Sequence, residues 1–243
     1  MRVKLIATTP DPINVMWVAA RTCYSAKSPV EMWQEMDATK TDNCLNLVQS
    51  VLQSGHTSIA EHVTFTFAIE GISRACSHQL VRHRLCTFSQ QSQRYVEIKE
   101  DYNELYDLFH KFSTDETIDK MKQIAEKYFV DVNDNNYYSY IHSLLSYCMR
   151  VAYGEKPEDA RNSLPNATKT NIVVTTNLRN LMHICELRLC NRAQKEIREL
   201  FKLIKQEVAN NNEILSELLV VQCDKLGYCP EHKTCGRKKL RDV

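Results

Sequence analysis

One nine-residue stretch constrains the fold more than any other. In His62–Glu70 (HVTFTFAIE), Val63, Phe65, Phe67 and Ile69 fall on one face and Thr64 and Thr66 on the other. This period-two alternation predicts a half-buried strand. A β-branched run at Asn171–Thr176 (NIVVTT) predicts a second strand, and residues 2–8 alternate loosely through Val3, Leu5 and Ala7. The rest is mostly helical in pattern. Asp11 before Pro12 is a good N-cap and first-turn pair for a helix through about Cys23. Another helix, from about Asn43, ends at Gly55, which suits a left-handed exit. Gly71 is expected to break the strand ahead of a helix through about His83, and Leu85–Ile98 is polar and extended or looped. Ser113 with Glu116 forms a capping box opening a helix through about Val130. Helices are also expected around Tyr137–Val151, in a short piece from Pro157, and in one long stretch over about 178–209. Helices outnumber strands, so the class is α+β with a small sheet.

With 243 residues, 43% of them hydrophobic, the chain can bury a sizeable core. Five glycines and no Pro-, Gly- or Ser-rich linker point to a single domain over 1–243, with an irregular Cys-, Lys- and Arg-containing tail over about 223–243. The amino terminus is too polar for a signal peptide, and no apolar run could span a bilayer, so a soluble, cytoplasmic protein is expected. In a reducing compartment its ten cysteines are first small buried hydrophobes.

Net charge is only +1, but its distribution is uneven. No acid occurs between Glu70 and Glu97, where Arg74, Arg82, Arg84 and Arg94 sit with His78 and His83. A second acid-free window, Ala160–Cys185, carries Arg161, Lys169, Arg179 and His183. The two windows hold seven of the 31 Lys and Arg, leaving 24 against 30 acids elsewhere, net −6. Such segregation suits anionic ligands, with a solvated basic face as the plain alternative. Within the first window lies RHRLCTFSQQSQRY, residues 82–95. Its guanidinium groups can hold phosphate bidentately, and Ser89–Gln93 supply neutral donors and acceptors. A polar loop with structural arginines would have the same composition.

These residues resemble the signature of the flavin-dependent thymidylate synthases: Arg82, His83 and Arg84, then Thr87, Ser92 and Arg94 at the family's spacing. Similar boxes occur in order: Ala20-Arg21, His56–His62 (HTSIAEH), Gln79, Ala160-Arg161 with Leu164-Pro165, Asn177-Leu178-Arg179, His183, and Leu187-Arg188. The resemblance covers about residues 14–200. Departures are Thr87 where many members have Ser, Gln90 where a Glu could act as a base, and no Pro after the hydroxyl residue of the upstream box.

The resemblance implies a small, mainly antiparallel sheet surrounded by helices, and reductive methylation of dUMP to dTMP. FAD would carry the hydride, methylenetetrahydrofolate would donate the carbon and NADPH would re-reduce the flavin. FAD would meet Ser58, Arg82, His83, Arg84, Gln90, Asn177, Leu178, Arg179 and His183, with His56 and Glu61 nearby. The substrate dUMP would meet Gln79, Leu80, Val81, Arg82, Gln90, Gln91, Ser92, Gln93, Arg94, Arg161 and Arg188, its phosphate going mainly to Ser92, Arg94 and Arg161. A homotetramer with active sites where subunits meet is also implied. On a helix, Arg179 and His183 share a face while Arg188 lies about 180° away, which fits two ligands on opposite sides.

No Pro-Cys motif of the classical thymidylate synthase is present, and Cys86 is expected to pack. Ser92 lacks a base partner. The resemblance implies Arg188 as the catalytic residue, stabilising negative charge on the uracil. Tyr95 is expected first as a core aromatic, with stacking on a ligand ring as the alternative. His56, Glu61 and His62 do not have the order His-Glu-x-x-His. The tail offers Cys223, Cys229, His232 and Cys235 without a Cys-x-x-Cys pair, so no metal is assigned there, nor any nucleic-acid partner.

Overall fold

The structure is a computed structural model that describes residues 1–36, 41–111 and 114–241. Four strands, β1 (Arg2–Thr8), β2 (Thr64–Ser73), β3 (Thr87–Gln90) and β4 (Lys169–Asn177), form one antiparallel sheet in the order β1-β2-β4-β3. The described helices before β4 are α1 (Pro12–Thr22), α2 (Pro29–Gln34), α3 (Thr41–Gln53), α4 (Arg74–Leu80), α5 (Tyr102–His110), α6 (Asp115–Tyr128), α7 (Tyr137–Ala152) and α8 (Pro157–Ala160). After it come α9 (Leu178–Arg188), α10 (Lys195–Asn211), α11 (Glu213–Glu217) and α12 (Gln222–Leu226).

The residues group into two compact units. The first comprises Met1, residues 69–82 and residues 89–172; the second comprises residues 2–68, 83–88 and 173–243. They interleave in sequence, which is why no linker composition separates them. In the first, α7 packs against α5 and α6. Leu105, Met121, Ala125, Phe129, Ile141, Leu144 and Tyr147 form its core. The Tyr147 hydroxyl is not wasted, since it accepts the Ile98 N–H at 3.4 Å. In the second, α10 buries Ile197, Leu200, Phe201, Ile204 and Val208, a stripe at helical spacing, and packs against β1. Glu207 of α10 also accepts the Leu5 N–H of β1 at 2.9 Å.

The alternating strand is as the sequence predicts: Val63, Phe65, Phe67 and Ile69 are each at most 1% exposed. Several boundaries differ. Gly71 does not end β2; at φ +70° it stays in the strand, and its N–H turns to the Asn171 side-chain oxygen at 3.1 Å. Asp11 takes a left-handed φ of 46° and makes no side-chain cap. Ser113 lies outside the described residues, and the capping box at α6 is made by Thr114 and Thr117. Part of the polar stretch 85–98 is a strand, β3. The expected long helix over 178–209 is two helices. Gln194 caps α10 by accepting the Ile197 N–H at 3.1 Å, and Arg198 donates to the carbonyls of Asn191 and Ala193 at 2.6 and 3.4 Å, fixing the turn between them.

Candidate functional site

In the first unit the residues expected around dUMP are built on α4, β3 and the loop that follows. Ser73 caps α4 by accepting the Cys76 N–H at 2.9 Å, which starts the helix that carries Gln79 and Leu80. Leu80 is 1% exposed and offers a ligand no side chain, whereas Val81 and Arg82 are exposed. Gln90 serves the scaffold: its Nε2 donates to Ser77 Oγ at 3.0 Å and Thr170 Oγ1 at 3.2 Å, joining β3 to α4 and β4. Asn171 holds the next residue twice, donating Nδ2 to Gln91 Oε1 at 3.1 Å and accepting the Gln91 N–H on its carbonyl at 2.9 Å. Gln91, Ser92 and Gln93 thereby line a cavity of about 460 Å³ with Lys99, Lys127 and Lys169.

Sequence reasoning gave Arg74 no role beyond its place in an acid-free window. Burial, and then the neighbouring charge of Arg161, push the Arg74 guanidinium below its ordinary range. Its Nη1 lies 3.5 Å from the Gln91 carbonyl. Two like charges held within reach of each other gain from an anion between them. Arg94, by contrast, is already engaged: its Nε is 2.7 Å from Glu158, and its guanidinium lies 5.3 Å from the Tyr95 ring centroid. Tyr95 is 79% exposed, so core packing is not its role; its face is offered to a cation and to solvent.

Ser58, His83, Arg84, Asn177, Leu178, Arg179, His183 and Arg188 all belong to the second unit. Ser58, Arg84, Arg179 and His183 are exposed. Asn177 opens α9, accepting the Asn180 N–H on its side chain at 2.9 Å. Leu178 is buried and its N–H goes to the Val63 carbonyl at 2.7 Å, so this residue shapes the site rather than presenting a polar group. Arg179 is paired with Glu61 of the upstream box. Cys86 packs, as expected: Asn180 Nδ2 donates to its sulfur at 3.1 Å, and burial pushes its thiol up.

The second unit also contains a contact that sequence reasoning missed. Arg188 Nε donates to His83 Nε2 at 3.0 Å. The His83 ring stands edge-on to Phe201, with centroids 6.5 Å apart. Burial, then Arg188 and His183, lower the imidazole pKa to about 4. The ring is therefore neutral at physiological pH and can accept the arginine proton. Arg188 and His83 are thus joined within the second unit.

Fold and residues define an α+β protein with two cation-bearing sets of polar side chains suited to anionic ligands. The family model described as "Thymidylate synthase complementing protein" matches residues 4–211. The chain is 41% identical over 248 aligned residues to the flavin-dependent thymidylate synthase of Nitratidesulfovibrio vulgaris, covering 99% of this chain and 96% of that one. It is 40% identical to that of Thermococcus kodakarensis, covering 95% and 89%. Among solved structures, it superposes with a TM-score of 0.71 and 23% identity on the flavin-dependent thymidylate synthase ThyX of Helicobacter pylori complexed with FAD and dUMP, covering 90% of this chain and 100% of that one. A UMP/dUMP methylase, PolB, from Streptomyces cacaoi shares the fold at a TM-score of 0.64 and 22% identity, with 89% and 93% coverage. The chain belongs to the family of flavin-dependent thymidylate synthases, enzymes that make dTMP.

Proposed function

We propose that this chain methylates dUMP reductively to dTMP, with FAD as hydride carrier, methylenetetrahydrofolate as one-carbon donor and NADPH as reductant. The observation that carries this reading is the hydrogen bond from Arg188 Nε to His83 Nε2 at 3.0 Å, which fixes the position of a cationic donor.

Arg188 stabilises negative charge developing on the uracil nitrogen and carbonyls, and so promotes attack by carbon 5. The dUMP phosphate is held by Ser92, Arg161 and Arg94, the last exchanging its Glu158 partner for the phosphate, and we add Arg74, whose proximity to Arg161 favours a bridging anion. Gln79, Val81, Arg82, Gln91 and Gln93 contact the rest of the nucleotide, while Gln90 and Leu80 position the loop from behind. The exposed Ser58, Arg84, Arg179 and His183, with Asn177, fit an anionic dinucleotide: they supply cationic and neutral donors, and Glu61 is an acid partner that must yield or share Arg179. Bound there, FAD supplies hydride chemistry that no side chain offers. The protein works as a homotetramer in which more than one subunit completes each site. All ten cysteines are free thiols, which supports a cytoplasmic setting, and no helix of the described residues is long and apolar enough to cross a membrane.

Arg188→Ala tests the reading. The variant should keep its yellow flavin spectrum and lose dTMP formation by about a hundredfold or more, the scale of losing one charge-stabilising donor. Turnover near the unaltered level would remove the role of Arg188.

A further inference from the structure

The cavity beside Arg188 is walled partly by residues to which no ligand has been assigned. Its volume is about 310 Å³, and it lies within the second unit, where α9 ends. Arg188 and Arg192 belong to its wall, and the tail adds Arg237 and Lys238. These last two lie beyond residue 211, where the match to the family model stops.

The tail is a closed loop rather than a loose end. Cys229 N–H donates to the Lys239 carbonyl at 2.7 Å, Thr234 Oγ1 to the Lys238 carbonyl at 2.6 Å, and Gly236 N–H to Thr234 Oγ1 at 3.1 Å. Arg192 Nη1 ties this loop to the turn after α9, donating to Glu231 and to the Lys233 carbonyl, both at 3.1 Å. Arg237 Nε donates to Asp224 of α12 at 3.0 Å. These bonds order the backbone that presents Arg237 and Lys238, so a ligand has less ordering entropy to offset.

Cations outnumber acids in the wall: Arg188, Arg192, Arg237 and Lys238 stand against Glu186 and Glu231. Glu186 is paired with Lys225, outside the wall, and Glu231 with Arg192. Lys238 is half-buried and makes no ion pair among the described residues. Such a wall suits a carboxylate-bearing ligand. The residues expected at the dUMP phosphate belong to the first unit, and none of those expected at FAD is in this wall. NADPH gives its hydride to the flavin and need not meet Arg188. The one-carbon donor must come close, because its carbon is attacked by the uracil whose charge Arg188 stabilises. Methylenetetrahydrofolate ends in a glutamate with two carboxylates, joined through an aminobenzoyl group to the reacting pterin.

We propose that the glutamyl carboxylates of methylenetetrahydrofolate bind Lys238, Arg237 and Arg192, so that the tail guides the one-carbon donor to the uracil at Arg188. This rests on the role of Arg188 proposed above. Arg192 and Arg237 exchange or share their present partners, Glu231 and Asp224, with the ligand. Lys238 displaces no acid, so it carries the largest single share.

The test compares folates with and without the glutamate. Flavin-loaded protein with dUMP should bind 5-formyltetrahydrofolate, read by calorimetry, about tenfold or more tighter than 5-formyltetrahydropteroate, which lacks the glutamate. Lys238→Gln should erase most of that preference and raise the KM for methylenetetrahydrofolate by about tenfold, with the flavin spectrum and the KM for dUMP unchanged. Lys238→Arg should restore the preference. Equal binding of the two analogues, or a preference undiminished in Lys238→Gln, would overturn the proposal. A raised KM for NADPH with that for the folate unaltered would do the same, giving these cations to the phosphates of the nicotinamide cofactor. Calorimetry needs no turnover, so protein that binds in this glutamate-dependent way yet makes no dTMP would count against the proposed reaction and for the site.

Discussion

Acidification should disconnect Arg188 from His83 at a pH set by burial rather than by the free imidazole. His83 Nε2 accepts the Arg188 N–H at 3.0 Å, and it can do so only while unprotonated. Moving the imidazole from 6.5 to about 4 corresponds to about 3 kcal/mol at ~1.36 kcal/mol per tenfold. The ring is partly exposed, and solvent screening reduces this to about 1–2 kcal/mol. The unfolded chain takes up this proton around pH 6.5, the folded chain only around pH 4. Stability is therefore complete above the first value and is lost as pH falls from 6.5 towards 4. The assay is urea unfolding at about pH 7.5 and about pH 4.5, with His83→Gln as a non-titrating control. The unaltered protein should lose about 1–2 kcal/mol more than the variant over that interval. Equal losses, or an NMR titration of His83 near the free value, would refute the reasoning.

Three further outcomes follow from the same geometry. Arg84→Ala should weaken flavin retention through gel filtration, because an exposed guanidinium with no acid partner among the described residues is lost; unchanged absorbance would argue against its assignment. Arg161→Ala and Arg74→Ala should each raise the KM for dUMP by roughly tenfold to a hundredfold, the cost of one charge-assisted contact, with little change in kcat; an unaltered KM for Arg74→Ala would remove that residue from the phosphate site. Phe65→Ala should cost about 3–5 kcal/mol in denaturant unfolding, because the ring is fully buried and stacked with Phe67 at 6.1 Å.

What could be read from the residues follows from the range of the interactions. The β2 alternation at Val63, Phe65, Phe67 and Ile69 is a local pattern, and it predicts both the strand and its buried face. The strand β3 (TFSQ) has only four residues, none of them in the most buried class, so its sequence carries no comparable signal. The apolar pattern continues across the break between α9 and α10, which depends on Gln194, an unusual cap, and on Arg198 folding back onto carbonyls. The two acid-free windows do contain the residues that gather, including Arg74 and Arg161. Yet Glu158 reaches Arg94 and Glu61 reaches Arg179 from outside those windows. Local counting cannot see pairings made across 64 and 118 positions. The His83–Arg188 contact spans 105 positions and was equally invisible. The boxes were legible as a set because each keeps its own short spacing.

The central claim is that this chain transfers a one-carbon unit to dUMP by flavin chemistry. Its most direct test follows labelled carbon from methylenetetrahydrofolate into dTMP, with NADPH as reductant and FAD either present or stripped from the protein. Labelled dTMP should form only with FAD and dUMP together. Undiminished label in the stripped protein, or none in the fully loaded one, would contradict the account.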